Sequence, residues 1–303
     1  MLDETASGVF TIAATPFLPD GTLDAESIDR LVDFYLEKGA TGLTILGMMG
    51  EAGKLTAAES TTVIERVCRR AKVPVVVGVS APGFAAMEAL SQVAMDKGAA
   101  GVMVAPIGGL KSDREIRAYF ETVSARLDPI PWVLQDFPLA TGVRIEPSVI
   151  LDIVATSPNC VMLKHEDWPG LEKISALRAA SDEGARRISI LCGNGGLYLL
   201  EEMIRGADGA MTGFAYPEMM SEVVRLMNVG QEAKARDVFD AYMPLIRYEA
   251  QPGLGLAIRK HILAKRGAIA HPTVRSPGPK LTPATIREVD TLIERQDAQL
   301  SRI

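Results

Sequence analysis

Histidine is scarce in this chain. Only His165, His261 and His271 occur in 303 residues, too few and too scattered for a histidine-based metal site or a serine–histidine triad. Cysteine is equally sparse. Cys68, Cys160 and Cys192 lie inside apolar runs without paired spacing, which excludes a disulfide framework and fits buried thiols in a reducing compartment. No stretch approaches the roughly 20 consecutive apolar residues of a membrane span. The start, Met1-Leu2-Asp3-Glu4-Thr5, is acidic and has no apolar core, so no signal peptide is expected and the cytoplasm is the expected location. Positive charge is not in excess either. A net charge of -6 argues against nucleic acid or an anionic membrane as partner. There is no Gly-Lys-Ser/Thr for nucleotide phosphates, and Gly193 to Gly196 lack the spacing of a dinucleotide loop. Neither metal nor organic cofactor is expected.

What the chain does have is a regular alternation of strand-like and helix-like segments. Short apolar strands are expected at Val9–Ala14, Leu43–Leu46, Val73–Val79, Gly101–Ala105, Trp132–Leu134, Cys160–Leu163, Ile188–Leu191 and Ala210–Met211. Helical patterns separate them. Ala25 to Glu37 carries Ile28, Leu31, Val32 and Tyr35 on one face, and capping boxes open two others at Thr56/Glu59 and Ser112/Glu115. Strands this apolar, each followed by a helix, imply parallel pairing with both faces covered. Eight such units in about 225 residues match a (β/α)8 barrel better than an open doubly wound sheet. Three helical segments without strands follow. The expected organisation is therefore an α/β TIM barrel over residues 1–225 with a C-terminal helical subdomain over 226–303.

The stretch from Asn159 to Gly170 carries the most chemistry. Its apolar strand ends on Lys164, followed by His165, Glu166 and Asp167, then the breakers Pro169 and Gly170. A lysine at the carboxyl end of a buried strand is half desolvated, which disfavours the ammonium and favours attack on a ketone to form a Schiff base. The alternative is a surface lysine whose stem snorkels past the strand end. Active sites in this fold lie at the carboxyl ends of the strands. The loops there offer a glycine-bounded turn, Gly47-Met48-Met49-Gly50-Glu51, whose N–H groups suit a carboxylate or simply form a tight turn. They also offer Gln135 and Asp136 after the fifth strand, and Gly193 after the seventh, where substrate could approach the backbone. If the sixth strand stays extended, Glu166 points the same way as Lys164 and His165 points outward. Glu166 is then the acid/base candidate, or else a salt-bridge partner of Lys164. Glu51 and an ordered water are the other candidates for that proton.

Thr15-Pro16-Phe17 after the first strand, Gly-x-x-Gly-Glu after the second, Pro138 and Thr141-Gly142 after the fifth, and Lys164 on the sixth resemble the dihydrodipicolinate synthase and N-acetylneuraminate lyase family. The similarity runs from about Gly8 into the helical appendage. It implies a barrel with a helical tail, assembled as a homotetramer (a dimer of dimers), and class I chemistry in which Lys164 forms a Schiff base with pyruvate or another 2-oxo acid. It implies that the substrate lies against Thr15 and Gly193, that the N–H groups of Met48 and Met49 beside Gly47 hold its carboxylate, and that the main chain of Met211 touches it.

The chain departs from the family pattern at informative places. Two threonines of the second loop are Met48 and Met49; the proton-relaying phenol is Gln135; the usual asparagine is Asp136. The arginine for the second substrate of the lysine-pathway synthase falls at Ala140, and the tyrosine lent across the dimer falls near Gly108. Gln135-Asp136, Gly209 to Gly213 and Pro244-Leu245-Ile246 look like the sugar-acid dehydratase branch. The expected activity is a Schiff-base lyase that dehydrates a 2-keto-3-deoxy sugar acid. The alternatives are a pyruvate-releasing aldolase of the same family and an inactive 2-oxo-acid sensor.

Overall fold

The structure, a computed structural model, describes residues 1–303. Eight strands close into one barrel in sequential order, every neighbouring pair parallel. They are β1 (Gly8–Ile12), β2 (Gly42–Ile45), β3 (Val75–Gly78), β4 (Gly101–Val104), β5 (Trp132–Asp136), β6 (Cys160–His165), β7 (Ser189–Cys192) and β8 (Gly209–Ala210). The expected TIM barrel is thus the fold. Its outer helices begin where the sequence says they should: both capping boxes are formed, Thr56 with Glu59 and Ser112 with Glu115. Two short helices were not legible in the pattern, the four-residue Pro138–Thr141 after β5 and the six-residue Leu199–Ile204 between β7 and β8. After the barrel come helices Glu232–Glu249, Gly255–Lys265 and Pro283–Leu300. The last starts as its sequence dictates, with Thr282 accepting from the Thr285 N–H and proline in the first turn.

The side chains sort into three apolar clusters. The largest, 45 residues, lies between the strands and the surrounding helices. A second, of 21 residues, joins Val9 and Ala210 of the barrel to Leu245, Ile258 and Val289 of the following helices. A third, of 10 residues, fills the barrel axis with Phe10, Ile12, Val76, Met103, Val133, Met162, Leu191 and Met211 among its members, and Leu2 belongs to it. No helix is long and apolar enough to cross a membrane.

One irregularity sets the phase of β6. Trp132 pairs with Cys160, yet the next residue, Val133, pairs with Met162, so Val161 is an inserted residue. Cys160 and Leu163 belong to the outer cluster and Met162 to the inner one. The bulge therefore sends Met162, and two residues later Lys164, into the barrel.

Candidate functional site

Register places the key side chains side by side. Gln135 of β5 pairs with Lys164 of β6, which pairs with Leu191 of β7. Leu134 and Leu163 pack in the outer cluster, so Gln135 and Lys164 both face the barrel interior at its carboxyl end. The chain stays extended past the strand, with the Glu166 N–H donating to the Asp136 carbonyl at 2.9 Å. Glu166 thereby turns the same way as Lys164. Its Oε2 lies 2.8 Å from Lys164 Nζ and accepts from Gln135 Nε2 at 2.7 Å. All three side chains are buried, at 3% exposure for Lys164 and 5% for Gln135 and Glu166.

The intervening residues face the helices. His165 is fully buried, and a β-carbon on Gly170 would lie 2.3 Å from its Nε2, so that glycine makes room for the ring. Burial, reinforced by the nearby Lys173 charge, drives the His165 imidazole down to about 4 and keeps it neutral. Asp136 also turns outward. Lys173, on the helix Leu171–Asp182, bridges Asp136 Oδ2 and Asp167 Oδ2 at 2.7 Å each. Burial pushes the Asp136 carboxyl up to about 6 against the opposing pull of that ammonium. His165, Asp136 and Asp167 thus lie behind the face that carries Lys164 and Glu166 rather than on it.

The loop residues fall into distinct places. Met48–Gly50 forms one 3-10 turn whose first internal bond is Gly50 N–H to the Gly47 carbonyl. The N–H groups of Met48 and Met49 precede that bond and have no acceptor inside the turn. Met48 is half exposed, and Met49 packs against the inner cluster. Gly47 itself has φ -82, so no left-handed geometry requires glycine there. The positive φ values sit on Leu46 and Glu51, both at 55°. Asn194, at 50°, is the remaining non-glycine residue of this kind. All three flank the barrel mouth, where strained backbone is often part of a functional site.

The Thr15 hydroxyl donates to the Gly50 carbonyl at 2.5 Å and is committed to the loop. Met211 is fully buried just beyond β8, its N–H bonded to the Cys192 carbonyl. A β-carbon on Gly193 would lie 2.2 Å from Glu166 Cγ. The space beside Gly193 is filled by that glutamate, which gives this glycine a reason the sequence did not reveal. Glu51, an alternative proton acceptor on sequence grounds, is spent: Lys54, Lys260 and the Arg275 N–H occupy its oxygens. Nothing in the sequence signalled Lys260 or Lys173. No three His, Cys, Asp or Glu side chains converge in a way that could hold a metal ion.

The arrangement couples an amine, a carboxylate and an amide in one dry cluster. It can shuttle a proton between Lys164 and Glu166 without solvent, while Gln135 fixes the carboxylate and itself cannot titrate.

Comparison with known proteins finds relatives over nearly the whole chain. The family model described as "Dihydrodipicolinate synthetase family" matches residues 5–296. The L-2-keto-3-deoxyarabonate dehydratase of Azospirillum brasilense is 30% identical over 305 residues, 97% of this chain and 96% of that protein. A 4-hydroxy-tetrahydrodipicolinate synthase of Sorangium cellulosum is 34% identical over 79% of each chain. Among solved structures, a dihydrodipicolinate synthase from Rhodopseudomonas palustris superposes with a TM-score of 0.96 at 54% identity, covering 97% of this chain and 99% of that one.

Proposed function

The chain belongs to the dihydrodipicolinate synthetase family and is a lyase, and on that premise we propose that it dehydrates a 2-keto-3-deoxy sugar acid through an imine on Lys164. The observation that carries this reading is the shared oxygen of Glu166, bonded to both the Lys164 amine and the Gln135 amide. Lys164 passes a proton to Glu166 and attacks the C2 carbonyl. Glu166 returns that proton to the departing oxygen, so that water leaves, a protonated imine forms and Glu166 is again a carboxylate. A carboxylate at Glu166 then removes a proton from C3. The resulting enamine expels the C4 hydroxyl, which leaves as water with a returned proton. Loss of a C5 proton, protonation at C3 and ketonisation of the C5 enol then give the aldehyde, and hydrolysis of the imine frees Lys164 and the semialdehyde. Each step needs a proton moved over one hydrogen bond, which suits a carboxylate held beside the amine. The substrate carboxylate lies on the N–H groups of Met48 and Met49 beside Gly47, with Thr15, Gly193 and Met211 around the reacting carbons.

Two of the proteins compared above carry the synthase name, and the 54% identity to one of them gives that name weight. The residues here favour dehydration instead. A glutamine at position 135 cannot relay a proton as a phenol does, and Ala140 and Gly108 offer no group for a second substrate. The dehydratase of A. brasilense, matched over nearly its whole length, supports the same branch. We further read residues 1–225 as the catalytic unit, 226–303 as its appendage, the assembly as a homotetramer and the location as cytoplasmic.

A panel of 2-keto-3-deoxy acids, monitored for semialdehyde and for pyruvate, tests the reaction. Semialdehyde without pyruvate is expected. Pyruvate release would make the protein an aldolase, and thermal stabilisation without turnover would make it a sensor. Borohydride with pyruvate should add mass at Lys164, and Lys164→Ala should abolish both the adduct and the activity.

A further inference from the structure

Lys260 lies on the helix Gly255–Lys265, outside the barrel, yet it is fully buried. Its ammonium has three oxygen partners, one for each N–H: the Thr15 carbonyl at 2.7 Å, Glu51 Oε1 at 2.5 Å and the Thr273 carbonyl at 2.8 Å. Two of these belong to barrel loops more than 200 residues away in sequence. The Thr15 hydroxyl in turn donates to the Gly50 carbonyl, and Gly50 is joined to Glu51 by the peptide bond. Lys260, Thr15, Gly50 and Glu51 therefore form a closed circuit around the end of the Met48–Gly50 turn.

The circuit holds an unfavourable conformation. Glu51 has φ 55, which a non-glycine residue keeps only where its surroundings over-determine it. Here Glu51 Oε2 also accepts from Lys54 Nζ at 2.8 Å and from the Arg275 N–H at 3.0 Å. A buried ion pair contributes little stability compared with an apolar pair of the same shape. What it does supply here is a fixed direction for the loop. Displacement of a binding group by about 1 Å can cost on the order of 10²-fold in rate.

We propose that Lys260 is a positioning residue that acts through Glu51 and Thr15 to hold the Met48–Gly50 turn where it receives the substrate carboxylate. This rests on the Schiff-base reading above. The test is borohydride trapping on Lys164 as a function of carbonyl concentration, using pyruvate, which has a carboxylate, and acetone, which has none. In Lys260→Met the half-saturating pyruvate concentration should rise about tenfold or more, with acetone trapping unchanged and the same adduct at saturating pyruvate. Glu51→Gln offers a second variant, because in either orientation its amide group meets a donor. It should show the same selective loss and decides the matter if Lys260→Met does not fold.

Equal weakening for both carbonyls would reduce Lys260 to a structural role and overturn the proposal, as would unchanged pyruvate trapping. A native protein that traps neither carbonyl would instead remove the Schiff-base reading itself, and the proposal with it.

Discussion

Lys164 and Glu166 form a buried ion pair at 2.8 Å, and the same carboxylate oxygen accepts from Gln135 Nε2 at 2.7 Å. In the proposed reaction, the contact that neutralises the amine is also its outlet for a proton. Glu166→Gln should keep the bond to Gln135 and lose the proton acceptor. Turnover is expected to fall about 10²- to 10⁴-fold, with the fold intact by circular dichroism. A variant retaining native turnover would move the base elsewhere.

Gly193 offers a second test of that pair. Alanine there would bring its methyl carbon to 2.2 Å from Glu166 Cγ, so the carboxylate must swing away from Lys164. Activity should fall on the order of 10²-fold while the melting temperature moves little. Steady-state kinetics and thermal melts on one preparation separate the two effects.

Behind the site, Lys173 neutralises Asp136 and Asp167 together. Lys173→Met leaves the buried Asp136 without a counter-charge and Asp167 with only Arg144, 3.9 Å away. Loss of about 3 kcal/mol of stability is expected, read as a shift of the urea midpoint. A near-native midpoint would mean that water already solvates this cluster.

Glu202 sets a pH dependence. Burial pushes its carboxyl from an ordinary 4.5 up to about 8, against a weaker lowering by the bond to Cys192. The folded chain keeps the proton up to about pH 8, whereas the unfolded chain releases it near 4.5. In that window the unfolded state holds fewer protons, so native stability declines as pH rises from about 4.5 to about 8 and then levels. Glu202→Gln should be the more stable protein at pH 8, with an advantage that shrinks toward pH 5. Melting curves across that range would show an unchanging gap if the carboxyl were already ionised at neutral pH.

Much of this was legible in the sequence because parallel strands leave a strong mark. Eight apolar runs, all but the seventh followed by a legible helix, pointed to the barrel, and Glu166 followed Lys164 into the interior by simple alternation. Other features left no mark. The run from Cys160 to Leu163 is apolar throughout, so which residues face inward is invisible in it. Lys260 sits in a helix with no clear apolar stripe, and its partners are over 200 residues distant. Gly193 reads as loop glycine, whereas its reason is the bulk of Glu166 across the mouth.

Val161 has a consequence for comparing sequences. Removing it would let Met162 follow Cys160 in regular alternation, so every later pair would keep its register and Lys164 would still face the interior beside Gln135. An aligned relative with a one-residue gap at this position would keep its lysine in the barrel, whereas the same gap between Met162 and Lys164 would turn the lysine outward. Where a gap falls within this strand therefore says more about such a relative than how many residues the strand holds.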